Sequence, residues 1–154
     1  MTMTTDVSNQ PTALARRLAL MLLLLRLSVF LVFLVWALDK FLNPEHTAAV
    51  FDGSYGISNL VPIASYILGA LQLAISIGFV LGIAKFFTYG MILVMHAVST
   101  FASFPYYLDP YASPNLLFFT AWPMLAACCA LFVLRKEDTI ALSFGSKQPP
   151  NVPE

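Results

Sequence analysis

The chain has 154 residues, of which 59% are hydrophobic and only 10% are charged. That composition excludes an ordinary soluble domain, in which about a quarter of the residues carry a charge. The formal net charge is zero and no basic block stands apart, so nucleic acid is not an expected partner.

Four apolar runs cover most of the chain, at residues 18–38, 63–84, 86–104 and 116–134. Each is about 20 residues long, the length that a helix needs to cross a hydrocarbon core of about 30 Å. The sequence therefore predicts an all-α fold: an integral membrane four-helix bundle with four transmembrane helices, forming one domain over residues 15–144.

The first apolar run follows a polar, Thr-rich stretch, which predicts a disordered cytoplasmic tail over residues 1–14. Arg16 and Arg17 before the run would also suit a cleaved signal peptide. However, the apolar region of a signal peptide is only about 7–15 residues long. This run is longer and contains Arg26, so we predict a retained span.

The connections between the runs contain turn and capping signals. Asn43 followed by Pro44 is typical of a helix start and predicts a short helix over residues 44–51 on the outer interface, ended by Gly53. The connection at Lys85 is so short that the second and third spans must be antiparallel neighbours.

Two further features concern helix packing and the C-terminus. Gly78 and Gly82 are four residues apart and predict close helix packing. After the fourth span, residues 136–144 predict a short surface helix. The proline-containing residues 145–154 predict a disordered tail.

The basic residues predict the orientation. With a cytoplasmic N-terminus, only Lys40 lies at an outer span end, beside Asp39, and we interpret these two residues as an interfacial anchor and a local ion pair. The basic residues then at inner span ends are Arg16, Arg17, Lys85, Arg135, Lys136 and Lys147. By the positive-inside rule, both termini are cytoplasmic.

Polar residues in three spans fall at a similar predicted depth. Counted from the inner ends of their helices, Arg26, His96 and Gln72 lie about 13, 15 and 18 Å deep. Gln72 and Ser76 share one face of the second span, and His96 and Ser99 share one face of the third. We therefore expect these five side chains to face the interior of the bundle and to form a candidate ligand site.

The expectation of a ligand site rests mainly on Arg26. A charge at the centre of a membrane helix costs about 2.5–3.5 kcal/mol on insertion scales, and this position is too deep for the side chain to reach the headgroups. No Asp or Glu lies in any predicted span, so we expect neutral acceptors, water or a bound anion as its partners. A site for an anionic or quinone-like oxygen and a purely structural hydrogen-bonded layer both remain open.

Other cofactors are not indicated. The second histidine, His46, lies in the outer loop, so a bis-histidine haem is not supported. Cys128 and Cys129 are adjacent and lack metal-ligand spacing, which favours a packing role. We expect no metal and no haem, and quinone is the one cofactor that the polar layer would suit.

The first span and the loop after it resemble the first-helix signature of the DoxX-like membrane proteins. The residues that carry the resemblance are Arg26, Leu27, Phe30, Leu31, Asp39, Lys40, Phe41 and Pro44. The similarity extends over residues 15–142, although Trp36–Ala37–Leu38 replaces the small glycine that is usual before the lysine. It implies a four-helix bundle in a bacterial cytoplasmic membrane, in which Arg26 and Lys40 match family positions.

Some DoxX-like proteins are subunits of sulfur-compound:quinone oxidoreductases or partners of periplasmic redox enzymes. The resemblance therefore implies an accessory or anchor subunit of a redox system. Small-metabolite or lipid binding or transport is an alternative, and so is a structural interaction protein without a ligand. An enzyme acting alone is not indicated, because the sequence shows no nucleophile–base pair, metal cluster or phosphate loop. Expected partners are the bilayer and a redox protein or a second copy of the chain.

Overall fold

The computed structural model describes residues 10–141, and every regular element in that range is helical. The elements are α1 Gln10–Leu42, α2 Pro44–Tyr55, α3 Pro62–Leu81, α4 Lys85–Ala102, α5 Phe104–Tyr107, a 3₁₀ helix Asn115–Thr120 and α6 Ala121–Val133. The predicted tail at residues 145–154 and the first nine residues of the chain lie outside the described residues.

Three of these helical segments are long and apolar enough to cross a membrane, namely Ala13–Leu42, Pro62–Leu81 and Asn115–Val133. They indicate a membrane protein. Helix α4 covers most of the predicted third span but is not among the three. It begins with Lys85 and includes His96, and both residues lower its mean hydropathy.

The helix boundaries differ from the predictions at three places. Helix α1 begins at Gln10, inside the stretch assigned to the N-terminal tail. Helix α2 continues through Gly53 to Tyr55 and is capped by Gly56. The helix predicted over 136–144 is wrong for residues 136–141, which form turns and irregular backbone; residues 142–144 lie outside the described part of the chain.

The long helices pack around one core. Helix α1 lies mainly against α3, and α4 mainly against α6, while contacts of α3 with α4 and of α1 with α6 complete the arrangement. The buried core residues are Leu22, Val29, Phe33, Phe79, Tyr89, Ile92, Cys128 and Leu131. Gln72 and Ser76 lie on the buried face of α3, as predicted.

The register between α1 and α3 sets the height of the candidate site. We use inner and outer for the helix ends that the sequence predicts to face the cytoplasm and the opposite side. A Cβ added to Gly69 would lie 3.0 Å from the Cβ of Lys40, near the outer end of α1. A Cβ added to Gly82, which caps the inner end of α3, would lie 3.1 Å from Nη1 of Arg26. The two helices are therefore antiparallel, and Arg26 lies level with the inner end of α3.

Candidate functional site: a buried arginine–carboxylate cluster

Arg26 forms a buried salt bridge with Asp138. Nη1 of Arg26 lies 2.8 Å from Oδ2 of Asp138, and the two residues are 2% and 0% exposed. The hydroxyl of Tyr89 donates to the same Oδ2 at 2.5 Å and accepts a hydrogen bond from Nη1 of Arg26 at 3.0 Å. The three side chains thus form a closed hydrogen-bonded triangle between α1, α4 and the segment after α6.

That segment, residues 134–141, crosses the inner end of the helices, and we refer to it as the strap. Besides the carboxylate of Asp138, two of its backbone carbonyls accept side-chain hydrogen bonds. Nη2 of Arg26 donates to the carbonyl of Ile140, and Nζ of Lys85 donates to the carbonyl of Asp138. The strap thus turns both backbone and side-chain oxygens toward α1 and α4.

Gly82 lets the strap approach α3. Its φ is +71°, in the left-handed region that glycine adopts without a steric penalty. An added Cβ would also clash with the Cβ of Ala141. Backbone conformation and the path of the strap therefore both require glycine at this position.

The cluster leaves two buried polar atoms without a partner. Nε of Arg26 and Oδ1 of Asp138 find no hydrogen bond among residues 10–141. A bidentate pair would use two nitrogens of the guanidinium and both carboxylate oxygens. Here one oxygen, Oδ2, accepts the bonds from both Arg26 and Tyr89, so one donor of the guanidinium and one oxygen of the carboxylate stay unused.

The prediction that all partners of Arg26 are neutral is wrong. Two of them are neutral acceptors, the hydroxyl of Tyr89 and the carbonyl of Ile140, but the structure adds the carboxylate of Asp138 from beyond the last predicted span. The predicted common layer is also wrong. Nε2 of Gln72 donates to the carbonyl of Phe33, seven residues further along α1, which places that contact about 10 Å from Arg26 along the axis.

The error in depth has a simple origin. The predicted depths assume that the inner ends of the apolar runs are level. In the structure Arg26 lies beside Gly82 at the end of α3, so the part of α1 before Arg26 extends inward beyond the turn between α3 and α4. Arg26 therefore lies at the inner end of the helix assembly, near Lys85, although it sits well inside its own apolar run.

The remaining candidate site residues bond elsewhere. Oγ of Ser76 donates to the carbonyl of Gln72 at 2.7 Å, and Nε2 of His96 donates to the carbonyl of Ala121 at 3.0 Å. Ser99 lies on an exposed face of α4, contrary to the expectation that it points inward. The structure thus separates Arg26 from Gln72, Ser76, His96 and Ser99.

The outer-end motif forms a different contact from the one predicted. Oδ2 of Asp39 lies 2.6 Å from Nδ1 of His46, and the ammonium of Lys40 donates to the carbonyl of Trp36 at 3.2 Å. The indole of Trp36 stacks on the ring of His46. Asp39 therefore connects α1 to α2, and the predicted Asp39–Lys40 ion pair is wrong.

The two cysteines differ in environment, since Cys128 is buried in the core and Cys129 is exposed. Sequence reasoning missed Tyr89, Lys85 and Asp138 as members of the cluster. A signal for Tyr89 was available, because it lies seven residues before His96 and so shares a helix face with it.

A scan against protein-family models, a search of curated proteins and a search of solved structures found no match. The resemblance to the DoxX-like proteins stays an expectation from the sequence.

Proposed function

We propose that this chain is a four-span protein of a bacterial cytoplasmic membrane, with both termini inside, that serves as an accessory or anchor subunit of a quinone-linked redox system. The three apolar helices support membrane insertion. Helix α4 packs against both α3 and α6, which supports its role as the remaining span. The redox association rests on the resemblance to DoxX-like proteins.

One observation favours an accessory role over a transport role: polar side chains in the interior are hydrogen-bonded to the chain itself. Gln72, Ser76 and His96, which lie between the ends of their helices, each donate to a backbone carbonyl of the chain. A transport pathway would offer such groups to a substrate. An interior bonded to itself favours a rigid scaffold that acts through its outer surfaces.

The outer end offers a surface for a partner. Large apolar side chains are exposed on the connections at this end, including Ile57 before α3 and Leu108 and Tyr111 after α5. Exposed aromatic and aliphatic groups of this kind are typical anchors of protein interfaces. A redox protein on the outer side of the membrane is the partner that this surface and the resemblance together favour.

The test is purification of the tagged full chain from its native membrane in a mild detergent, followed by native mass spectrometry and organic extraction. We expect a co-purifying redox protein together with quinone. The double variant Ile57→Asp, Tyr111→Asp should lose the partner. The matched control Leu14→Asp, an exposed leucine near the opposite end of α1, should retain it. A solitary, quinone-free protein would contradict the proposal.

A further inference from the structure

We infer that the inner end of the helix assembly is a binding site for a phosphate group, and that the strap at residues 134–141 occupies this site with oxygens of its own. The inference rests on the cluster of Arg26, Tyr89 and Lys85 and is independent of the accessory role proposed above.

The first argument is the division of donors and acceptors. Four hydrogen bonds are donated, two by Arg26, one by Tyr89 and one by Lys85, and all of these donors stand on α1 or α4. The acceptors are three oxygens of the strap, namely Oδ2 and the carbonyl of Asp138 and the carbonyl of Ile140. Because regular helices hold the donors, the donor set persists when the irregular strap moves away.

The second argument is unused capacity. Nε of Arg26 is buried and has no partner among the described residues, so the guanidinium has a donor that the strap does not use. Arg26 and Lys85 also bring two positive charges against the single carboxylate of Asp138. A phosphate group has up to two negative charges and so matches the two cations better than the single carboxylate does, and its three or four oxygens can take the place of the strap oxygens.

The third argument is room for the strap to move. A groove of about 730 Å³ separates the N-terminal part of α1 from the strap. It is lined by Leu14, Arg16 and Leu18 on one side and by Glu137, Thr139 and Ile140 on the other. Glu137, Thr139 and Ile140 are exposed on the flank that faces this groove, so this part of the strap has room to move, while Leu134 at its start stays packed against the core.

The strap should therefore compete with the ligand. When a binding-competent state is only partly populated, the apparent dissociation constant rises by the inverse of that population. Because Asp138 is fully buried, we expect the strap to be open in about a tenth of the molecules at most, so removing the charge of Asp138 should tighten phosphate binding about tenfold or more. The phosphate group can belong to a free metabolite or to a lipid headgroup, because the cluster lies at the predicted cytoplasmic surface.

The experiment measures binding of inorganic phosphate to the full chain in phosphatidylcholine nanodiscs by isothermal titration calorimetry. Asp138→Asn should bind inorganic phosphate more tightly than the unmodified protein does, by about tenfold or more. The matched control is Glu137→Gln, which removes the same charge from an exposed neighbour in the strap. It should leave the affinity unchanged. Adding Tyr89→Phe or Lys85→Gln to Asp138→Asn should remove the gain in affinity for phosphate.

A lipid arm identifies the source of the phosphate group. Nanodiscs that contain phosphatidic acid are analysed by native mass spectrometry after gentle release. Retention of phosphatidic acid by Asp138→Asn, without binding of inorganic phosphate, assigns the site to a lipid headgroup. Binding of inorganic phosphate without lipid retention assigns it to a free phosphate compound. The inference is overturned if Asp138→Asn binds neither inorganic phosphate nor phosphatidic acid. It is also overturned if Asp138→Asn and Glu137→Gln gain affinity equally.

A second measurement needs no substitution and so holds even if a variant does not fold. Hydrogen–deuterium exchange of the unmodified protein is followed as inorganic phosphate or phosphatidic acid is added. Displacement of the strap predicts faster exchange of the amides in residues 134–141, with the amides of α3 unchanged. An exchange rate in the strap that does not respond to either probe would refute the competition.

Discussion

The pair of Arg26 and Asp138 is the contact whose loss should destabilise the fold most. Asp138→Ala removes the carboxylate and leaves Nη1 of Arg26 and the hydroxyl of Tyr89 without their strap acceptor. Removing one partner of a buried ion pair costs about 3–5 kcal/mol, because the other charge stays buried and unpaired. The cluster lies at the inner end of the helices, where water can enter once the strap opens. We therefore expect a loss near the lower limit, about 3 kcal/mol.

The double variant Arg26→Met, Asp138→Ala has neither charge and separates the effect of ion pairing from a general loss of packing. Arg26→Met alone should be as costly as Asp138→Ala, because it leaves a buried carboxylate without its cation. The double variant removes both charges and should cost less than either single change, since replacing a buried pair by apolar groups is often nearly neutral. The coupling energy of this cycle should be at least about 2 kcal/mol.

The assay is unfolding in mixed micelles with increasing sodium dodecyl sulfate, followed by circular dichroism, with free energies compared at one detergent composition. The internal control is His46→Ala, which removes the hydrogen bond between His46 and Asp39 at the exposed outer end. That variant should lose less than about 1 kcal/mol. The reasoning fails if Asp138→Ala costs no more than the control, or if the double variant costs the sum of the two single changes.

Three further predictions follow from the packing and the topology. Gly69→Ala places a Cβ 2.9 Å from a ring carbon of Phe41 in α1 and should lower the unfolding free energy by about 1–3 kcal/mol in the same assay. The matched control is Gly53→Ala, whose Cβ has only an ordinary contact at 3.6 Å, and it should cause no loss of stability. Gln72→Leu should change the unfolding free energy by less than about 1 kcal/mol, because hydrogen bonds between membrane helices average about 0.6 kcal/mol; a loss as large as that of Asp138→Ala would contradict this. In a cysteine-free background, an impermeant maleimide added outside intact cells should label Asp52→Cys and leave Lys136→Cys unlabelled, and the reverse pattern would overturn the orientation.

Much of the architecture could be predicted from the sequence, because it depends on local patterns. The length of an apolar run sets where a helix can cross a membrane, and α3 and α4 lie within three residues of their predicted spans. The spacing of Gln72 and Ser76 placed both on one helix face, and that face is buried. The sequence also showed that Arg26 needs polar partners, since a guanidinium in an apolar run is costly wherever the chain folds.

The identity of those partners and the height of the cluster were decided only by the tertiary structure. Asp138 lies 112 residues after Arg26, in a segment whose composition predicted a surface helix. Its role depends on the strap folding back across the inner end of the helices, which no local pattern encodes. The height of Arg26 depends on how far α1 slides past α3, and this register is set by side-chain packing between the two helices, including the close approach at Gly69 and Gly82. Spacing along one helix determines which face a residue occupies, but packing between helices determines which residues meet.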